Sequence, residues 1–262
     1  MNITGQKVLI MGGSSGIGEA TAAAFLAAGA DVMITGRDTD RLEAAAAGLR
    51  KGTGLPGTAP VDGVPPRTGG LRTARVDGSS PDGLEAFFRA DSSVVHDHLV
   101  LALSSGSGGG AFRDLDLSAL RGAFEGKFWA HLTILQAALD HLASRASITF
   151  LTAASARAAL PGTSGLAAVN GALEAVVRPL AGELRPRRVN AVSPGVVDTP
   201  WWQGMPDAQR DALFAAHSAA VPVGRVGAPQ DIAQAVLMVA TNGFMTGSVV
   251  ECAGGLHLAT GW

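Results

Sequence analysis

The chain has 262 residues, of which 47% are hydrophobic and 16% charged, so it can form a sizeable core and does not have the composition of a disordered chain. A formal net charge of −2 gives no excess of positive charge, so we expect neither nucleic acid nor an anionic membrane as a partner. Cys252 is the single cysteine, which excludes an internal disulfide and a metal site built from cysteines.

A glycine-rich turn joins the first predicted strand to the first predicted helix. The apolar run 8–11 predicts a buried strand, and the alanine-rich segment 19–28 predicts the helix that follows it. Gly12, Gly16 and Gly18 leave room for a pyrophosphate beside backbone N–H groups and the positive end of this helix. An ordinary strand-to-helix turn is the alternative, because one glycine-rich turn is a weak signal by itself.

The second predicted strand, 31–37, ends in Arg37 at the sheet edge where parallel sheets bind ligands. An arginine at this position accommodates the 2′-phosphate of NADP(H), whereas an acidic residue holds the ribose of NAD(H). Arg37 therefore predicts NADP(H), unless it is a solvated residue ahead of the next predicted helix, 40–49. The glycine- and proline-rich segment 51–70 predicts an irregular loop.

Two further strands are predicted at 71–76 and 98–103, followed by a long helix over 120–142. Leucine and phenylalanine recur every three or four residues along this helix, as in an amphipathic helix. His96 and His98 flank the start of the fourth strand with no carboxylate at ligand spacing. We interpret them as structural residues and expect no metal site.

Strands and helices continue to alternate in the rest of the chain. A strand is predicted at 148–151, with helices over 165–174 and from Pro229 onward, and the stretches 188–200 and 246–255 resemble the last two strand-and-turn units of the family that is named below. This alternation predicts a single α/β domain over the whole chain. Its architecture is a Rossmann-like, doubly wound, seven-stranded parallel sheet with helices on both faces.

The chain resembles the short-chain dehydrogenase/reductase family. The motifs that carry the resemblance are the G-x-x-x-G-x-G turn 12–18, the strand end at Asp77, the helix 165–174, the Pro-Gly turn within 188–200 and the Gly-Gly ending of 246–255. The resemblance implies NADP(H) as the cofactor and a nicotinamide carboxamide held by the Pro-Gly turn and its threonine. The cofactor-binding residues that it implies are Gly12, Ser14, Ser15, Gly16, Ile17, Gly18, Arg37, Asp77, Pro194, Gly195, Val197 and Thr199.

Other parts of the resemblance leave alternatives open. Asp77 matches the family's acid beside the adenine, but it equally fits a cap for the next turn, with Ser79. The segment 201–221 corresponds to a substrate lid, where Trp201 and Trp202 indicate an apolar ligand or pack the lid on the core. The resemblance also implies a small-molecule substrate and a homodimer or homotetramer.

The family's proton-transfer residues are missing. The helix 165–174 sets the register, which puts Ala153, Leu166 and Asn170 at the positions of the family's serine, tyrosine and lysine. The chain contains no tyrosine, so the family's usual mechanism is excluded. Lys127 lies at the position of the family's helix asparagine, so a lysine and an asparagine are exchanged and an amine could reach the site from the other helix. The alternative is a solvated Lys127 and a neutral change at position 170.

Three functions are compatible with this pattern. The first is an NADP(H)-dependent oxidoreductase that acts on a small apolar carbonyl or enone with an unusual proton donor. The second is a non-catalytic NADP(H)-binding sensor, scaffold or partner subunit. The third is a lyase, cyclase or isomerase without redox chemistry. No signal segment and no membrane-spanning run are evident in the sequence, so we expect a cytoplasmic protein.

Overall fold

A computed structural model describes residues 3–53, 70–90, 92–106 and 108–258. The strands of these residues form one sheet in the order β3-β2-β1-β4-β5-β6-β7, and every neighbouring pair is parallel. The strands are β1 (Lys7–Met11), β2 (Asp31–Gly36), β3 (Leu71–Arg75), β4 (His96–Leu101), β5 (Leu142–Leu151), β6 (Arg188–Pro194) and β7 (Val249–Cys252). The predicted Rossmann-like fold class is confirmed.

Helices connect the strands and cover both faces of the sheet. They are α1 (Gly16–Ala27), α2 (Thr39–Thr53), α3 (Pro81–Ala90), α4 (Leu117–Ala123), α5 (Ala130–Ala138), α6 (Ser164–Glu183), α7 (Asp207–Ala220) and α8 (Pro229–Thr241). Pro229 occupies the first turn of α8, where its missing N–H leaves no bond unmade. No helix of the described residues is long and apolar enough to cross a membrane.

The core has two layers because successive strand residues point to opposite faces of the sheet. In β1, Val8 and Ile10 pack with α1 and α8 on one face, whereas Leu9 and Met11 pack with α3, α5 and α6 on the other. All four side chains are fully buried. The continuous apolar run of β1 is thus explained by burial on both faces.

The direction of the strand order changes between β1 and β4. The chain builds outward from β1 to β3 on one side and from β4 to β7 on the other. In sheets of this type, a crevice opens at the carboxyl ends of the strands where the order reverses. The glycine turn after β1 lies at this crevice, so the topology fixes where a ligand can bind.

Several predicted boundaries need correction, among them the helix predicted over 165–174, which is α6 and runs to Glu183. Helix α2 runs to Thr53, so 51–53 is helical rather than part of the predicted loop, and 54–69 lies outside the described residues. The predicted helix 120–142 starts earlier, at Leu117, and is interrupted by a π-helical turn over Phe124–Trp129. Near its end, Leu139–His141 form a 3₁₀ turn, and Leu142 already belongs to β5, which therefore begins at Leu142 rather than at 148. Short apolar segments leave such boundaries ambiguous.

His96 and His98 lie inside β4 rather than before it, and both side chains are buried. The His98 Nε2 atom is 2.7 Å from Gln6 Oε1, and its ring packs against Phe25. Burial lowers the pKa of His98 to about 4, so this imidazole is neutral at physiological pH. These contacts agree with the structural role predicted for His98.

Candidate active site

A cavity of about 530 Å³ opens at the carboxyl ends of the strands. It extends from the glycine turn to the segment that follows β6, and Lys127, Ala153, Leu166 and Asn170 contribute to its wall. The structure also brings all of the predicted cofactor residues to this cavity. They are Gly12, Ser14, Ser15, Gly16, Ile17, Gly18, Arg37, Asp77, Pro194, Gly195, Val197 and Thr199.

The glycine turn has a geometry that other residues do not fit. Gly12 and Gly16 have φ values of 87° and 55°, in the left-handed region. A Cβ atom on Gly18 would lie 2.1 Å from the Gly12 carbonyl oxygen. Helix α1 starts at Gly16 with no side-chain cap at its Ser15 N-cap, so its first N–H groups are available to an anion. The turn therefore fits the pyrophosphate of a dinucleotide.

Two arginines line the cavity beyond β2. Arg37 follows the strand directly, and Arg41 lies in the first turns of α2, with its Nε 3.6 Å from Asp38 Oδ2. The Arg37 backbone carbonyl accepts a hydrogen bond from Arg75 Nε over 3.0 Å, which fixes the backbone at this point. The sequence prediction included Arg37 but missed Arg41. The signal for Arg41 was its place in the first turns of the predicted helix, close after Arg37.

Asp77 lies in the cavity wall and also closes a turn. Its Oδ1 accepts hydrogen bonds from the Ser79 backbone N at 3.0 Å and from the Ser79 hydroxyl at 2.7 Å. These bonds, together with the charges of Arg37 and Arg75, lower the pKa of Asp77. The turn-capping alternative is thus observed, and contact of Asp77 with an adenine stays a prediction.

Lys127 lies in the π-helical turn between α4 and α5. Such wide turns are rare and occur most often at functional sites. Only 7% of Lys127 is exposed, and it lies on the cavity wall. The alternative of a solvated lysine head is therefore wrong. The π turn carries this side chain toward α6 rather than toward the solvent.

Lys127 and Asn170 are in direct contact. The lysine Nζ donates to Asn170 Oδ1 over 2.7 Å, and both residues are buried. Because an ammonium only donates, the amide must present its oxygen to Lys127. Its nitrogen then donates to the Leu166 carbonyl oxygen at 2.9 Å and faces Ser155 Oγ at 3.4 Å. The two exchanged residue types thus meet, as one of the two alternatives drawn from the sequence expected.

The charge state of Lys127 depends on burial and on one carboxylate. Burial lowers the pKa of Lys127 from 10.5 to about 8, while the Glu174 carboxylate opposes this shift. Glu174 is fixed by the hydroxyls of Thr152 and Ser193, at 3.0 and 2.9 Å, and by Arg157 Nε at 2.9 Å. A lysine with such a pKa can hold or release a proton near neutral pH. The sequence prediction missed Glu174, which lies one helical turn beyond Asn170.

The burial of Lys127 predicts a pH dependence of stability. Between about pH 8 and about pH 10.5, the unfolded chain keeps a lysine proton that the folded chain has lost. Stability rises with pH wherever the unfolded state binds more protons. We therefore expect the free energy of unfolding of the wild type to increase across this range relative to a Lys127→Met variant. Urea denaturation of both proteins at several pH values measures the difference.

Neighbouring groups do not mimic this effect. His131, which is one turn after Lys127 and faces its carbonyl oxygen, has a pKa lowered to about 3 by burial and stays neutral in this range. Glu174 and its partner Arg157 are present in both proteins, so their contributions cancel in the comparison. Parallel stability curves for wild type and Lys127→Met would contradict a lysine that is charged and buried.

The position of the family's tyrosine is apolar. Leu166 and Ala153 put no hydroxyl where the resemblance places a tyrosine and a serine. Ser155 and Thr163 supply hydroxyls on the same wall, but the Thr163 proton is already donated to the Leu160 carbonyl oxygen at 2.7 Å. Of the other polar groups near this position, Ser164 begins α6 and Arg157 binds Glu174.

Two tryptophans cover one side of the cavity. The indole N–H of Trp201 donates to the Ser105 carbonyl oxygen over 3.2 Å, which joins the segment after β6 to the turn after β4. Trp202 lines the cavity, donates to the Val197 carbonyl oxygen at 2.8 Å and packs edge-on against Phe214 of α7. Both tryptophans therefore line the cavity, and Trp202 also packs this segment against α7, while an apolar ligand and a lid function stay predictions.

Comparisons with known proteins agree with this architecture. The family model described as enoyl-(acyl carrier protein) reductase matches residues 66–257, and the one described as short chain dehydrogenase matches residues 6–59. A short-chain dehydrogenase/reductase of Stachybotrys chlorohalonatus is 31% identical, over 98% of this chain and 98% of its own.

Two solved structures are similar over nearly their full length. The MalC reductase/Diels-Alderase from Malbranchea aurantiaca has a TM-score of 0.84 and 25% identity, covering 98% of each chain. An NADPH-bound short chain oxidoreductase from Pseudomonas aeruginosa, described as containing an atypical catalytic center, has a TM-score of 0.82 and 29% identity, covering 96% of each chain. With one family model matching most of the chain and a relative aligned over nearly all of it, this chain belongs to the short-chain dehydrogenase/reductase family.

Proposed function

We propose that this protein is an NADP(H)-dependent oxidoreductase that reduces a small, apolar, uncharged carbonyl compound or enone without a tyrosine. The observation that carries the proposal is the buried contact between Lys127 Nζ and Asn170 Oδ1 at 2.7 Å. It brings an ammonium group to the residue that replaces the family's lysine, but from the opposite helix. The positive charge of the usual mechanism is thus kept while its tyrosine is lost.

The cofactor is NADP(H). The glycine turn would hold the pyrophosphate, Arg37 and Arg41 the 2′-phosphate, and the Pro194-Gly195 turn with Thr199 the nicotinamide end. When bound, NADPH supplies a hydride to an electrophilic carbon of the substrate. Lys127 has three N–H donors and gives one to Asn170, so the others are available to a ribose hydroxyl of the cofactor.

The substrate end of the cavity favours an uncharged, apolar molecule. Leu160, Leu166, Trp202 and Leu256 contribute apolar surface to the wall. Arg157, which follows β5, is held by the Glu174 carboxylate. A cationic substrate would lose its hydration without gaining a partner here, and an anionic one would have to compete for the Lys127 ammonium that the proposed mechanism uses.

We also propose a homodimer or homotetramer. The helices α4 and α5 and the turns beside them expose large apolar side chains: Phe112 is 76% exposed, Leu117 56% and Trp129 51%. Large apolar side chains exposed on neighbouring elements in this way are typical of a protein–protein interface. The net charge of −2 supports neither a nucleic acid nor an anionic membrane as a partner.

Two other functions have specific support. The apolar Leu166 at the tyrosine position favours a protein that binds NADP(H) without turning it over. The similarity to a structure described as a reductase/Diels-Alderase favours a pocket that also accommodates a non-redox cyclisation. Both alternatives predict a ligand in the same cavity, and they differ from the reductase in consuming no NADPH.

A panel of candidate electron acceptors, assayed with NADPH, tests the proposed function directly. Purified protein with NADPH is mixed with uncharged ketones, quinones and enones, and NADPH oxidation is followed by absorbance. We expect turnover with at least one uncharged acceptor and none with a carboxylated analogue of the same acceptor. Tight NADPH binding without any turnover would favour the non-catalytic function, and a product formed without NADPH consumption would favour the non-redox one.

Arg37 and Arg41 should determine the preference for NADPH. A charge-assisted hydrogen bond contributes about 1.5–3 kcal/mol, so we expect Arg37→Ala to weaken NADPH binding by roughly 10- to 100-fold. Binding of NADH, which has no 2′-phosphate, should change little. Calorimetric titration with each cofactor measures both values.

Arg89 provides the matched control. It is an exposed arginine of α3 that pairs with Glu85 on its own helix and does not line the cavity. Arg89→Ala should bind both cofactors as the wild type does. An equal loss of NADPH and NADH affinity in Arg37→Ala would refute the phosphate contact and indicate a change in the fold of the loop.

A further inference from the structure

Ser155 is connected to the buried lysine through Asn170. It lies in the short 3₁₀ turn Ala154–Ala156 after β5, on the wall of the cavity. Its Oγ is 3.4 Å from Asn170 Nδ2, and Asn170 Oδ1 is 2.7 Å from Lys127 Nζ. Three polar side chains therefore form a line from a buried ammonium to the surface of the cavity.

The direction of the hydrogen bonds along this line is fixed by chemistry. Lys127 donates to the amide oxygen, and the amide nitrogen of Asn170 donates toward the serine oxygen. Ser155 thus accepts from Asn170, which leaves the hydroxyl proton free to point into the cavity. Hydrogen bonds in such a chain polarise one another, so the lysine charge strengthens Ser155 as a donor. The 3.4 Å distance is long, as is common before a ligand binds.

We propose that Ser155 donates a hydrogen bond to the substrate oxygen that becomes negative, and that Asn170 transmits the charge of Lys127 to this hydroxyl. Thr163, the other hydroxyl near Leu166, is less suited because its proton is held by the Leu160 carbonyl oxygen. The inference rests on the proposed function, since the substrate oxygen gains negative charge only when a hydride reaches the substrate.

The same geometry specifies the substrate class. A serine hydroxyl can stabilise an oxyanion, but its high pKa makes it a poor source of a full proton at neutral pH. An alkoxide from a simple ketone needs such a proton at once, and the Asn170 amide between Lys127 and Ser155 transmits polarisation but does not carry the lysine proton. An enone instead takes the hydride from NADPH at its β carbon, its C=C electrons move to form an enolate, and NADP⁺ remains. Water then protonates the α carbon to give the saturated ketone. The site therefore favours conjugated enones over simple ketones.

The binding of 4-nitrophenol to the NADP⁺-saturated protein tests the hydrogen-bond chain without turnover. The phenolate oxygen imitates the enolate oxygen, and its absorbance reports the ionised fraction. We expect the bound phenol to ionise more readily than in water, and Ser155→Ala to reduce its ionisation constant about tenfold. 4-Nitroanisole has no ionisable oxygen, and we expect it to bind equally to both proteins.

A double-mutant cycle distinguishes transmission through Asn170 from direct contact with the lysine. Lys127→Met should lower the ionisation constant of the bound 4-nitrophenol about tenfold when it is the only substitution, and less than about twofold in the Ser155→Ala background. Thr163→Val, which removes a hydroxyl from the same wall, should leave the constant unchanged.

Several outcomes would overturn the inference. These are an unchanged ionisation constant in Ser155→Ala, additive effects of the two substitutions, or no binding of 4-nitrophenol at all. The proposed function fails separately, through an absence of NADPH-dependent reduction in the acceptor panel. An ionisation shift in a protein without turnover would refute the reductase but keep the hydrogen-bond chain.

Discussion

Replacing Lys127 with methionine should lower kcat for the best acceptor at least about a hundredfold while NADPH affinity falls less than about tenfold. In the proposed mechanism the Lys127 ammonium supplies the positive charge that stabilises the substrate oxygen, and losing one such electrostatic contribution costs about 10²–10³ in kcat. Methionine fills similar space without a charge, so the fold is expected to remain intact. Steady-state NADPH oxidation and calorimetry measure the two effects.

Two further variants sharpen this result. Lys127→Arg should lose activity as Lys127→Met does, because a guanidinium is larger than an ammonium and does not give up its proton. Lys51→Met removes an exposed lysine of α2, outside the cavity, and should behave as the wild type does. Full activity in Lys127→Met would show that this lysine has no part in the reaction and that the change to Asn170 is neutral.

Restoring the family's residues should create a reductase of simple ketones. The required set is Ala153→Ser, Leu166→Tyr, Asn170→Lys and Lys127→Asn. A tyrosine whose pKa is lowered by a lysine can transfer its proton to the carbonyl oxygen, and a positioned acid contributes about 10²–10⁴ in rate. We therefore expect at least about a hundredfold gain over the wild type, measured as NADPH oxidation with a ketone.

Adding a lysine at position 170 requires that Lys127 be removed at the same time. Asn170→Lys alone would put a second ammonium against Lys127 Nζ, in a buried place where like charges are costly. The matched control carries phenylalanine instead of tyrosine at position 166, which keeps the ring and removes the proton. A folded, NADPH-binding quadruple variant without any gain would show that the register of α6 was assigned wrongly.

Much of the fold follows from the sequence because the central β-strands are buried on both faces and therefore have apolar runs. The runs at Val8–Met11 and at 148–151 each predict a strand that the structure contains. The apolar signal is weaker at the polar start of β5, where Ser144 and Arg145 do not look like part of a buried strand. Its first half was missed for this reason.

The site was predictable where it depends on backbone shape and less so where it depends on side-chain contacts. Glycines that permit a positive φ are visible in the sequence, so the cofactor turn could be predicted. The contact of Lys127 with Asn170 was only one of two alternatives, because the periodicity of a helix does not reveal a π turn. Glu174 and Arg41 were missed because each gains its significance from neighbours that only the folded chain provides.

The π turn has a consequence for how such a site can arise. An α-helix advances about 100° per residue, so one residue more or fewer rotates everything that precedes it relative to everything that follows. In this protein the wider π turn of the six residues Phe124–Trp129 accommodates such a rotation between α4 and α5. The loss of a single codon here is therefore expected to turn Lys127 by about 100° away from the cavity, with no substitution in the core.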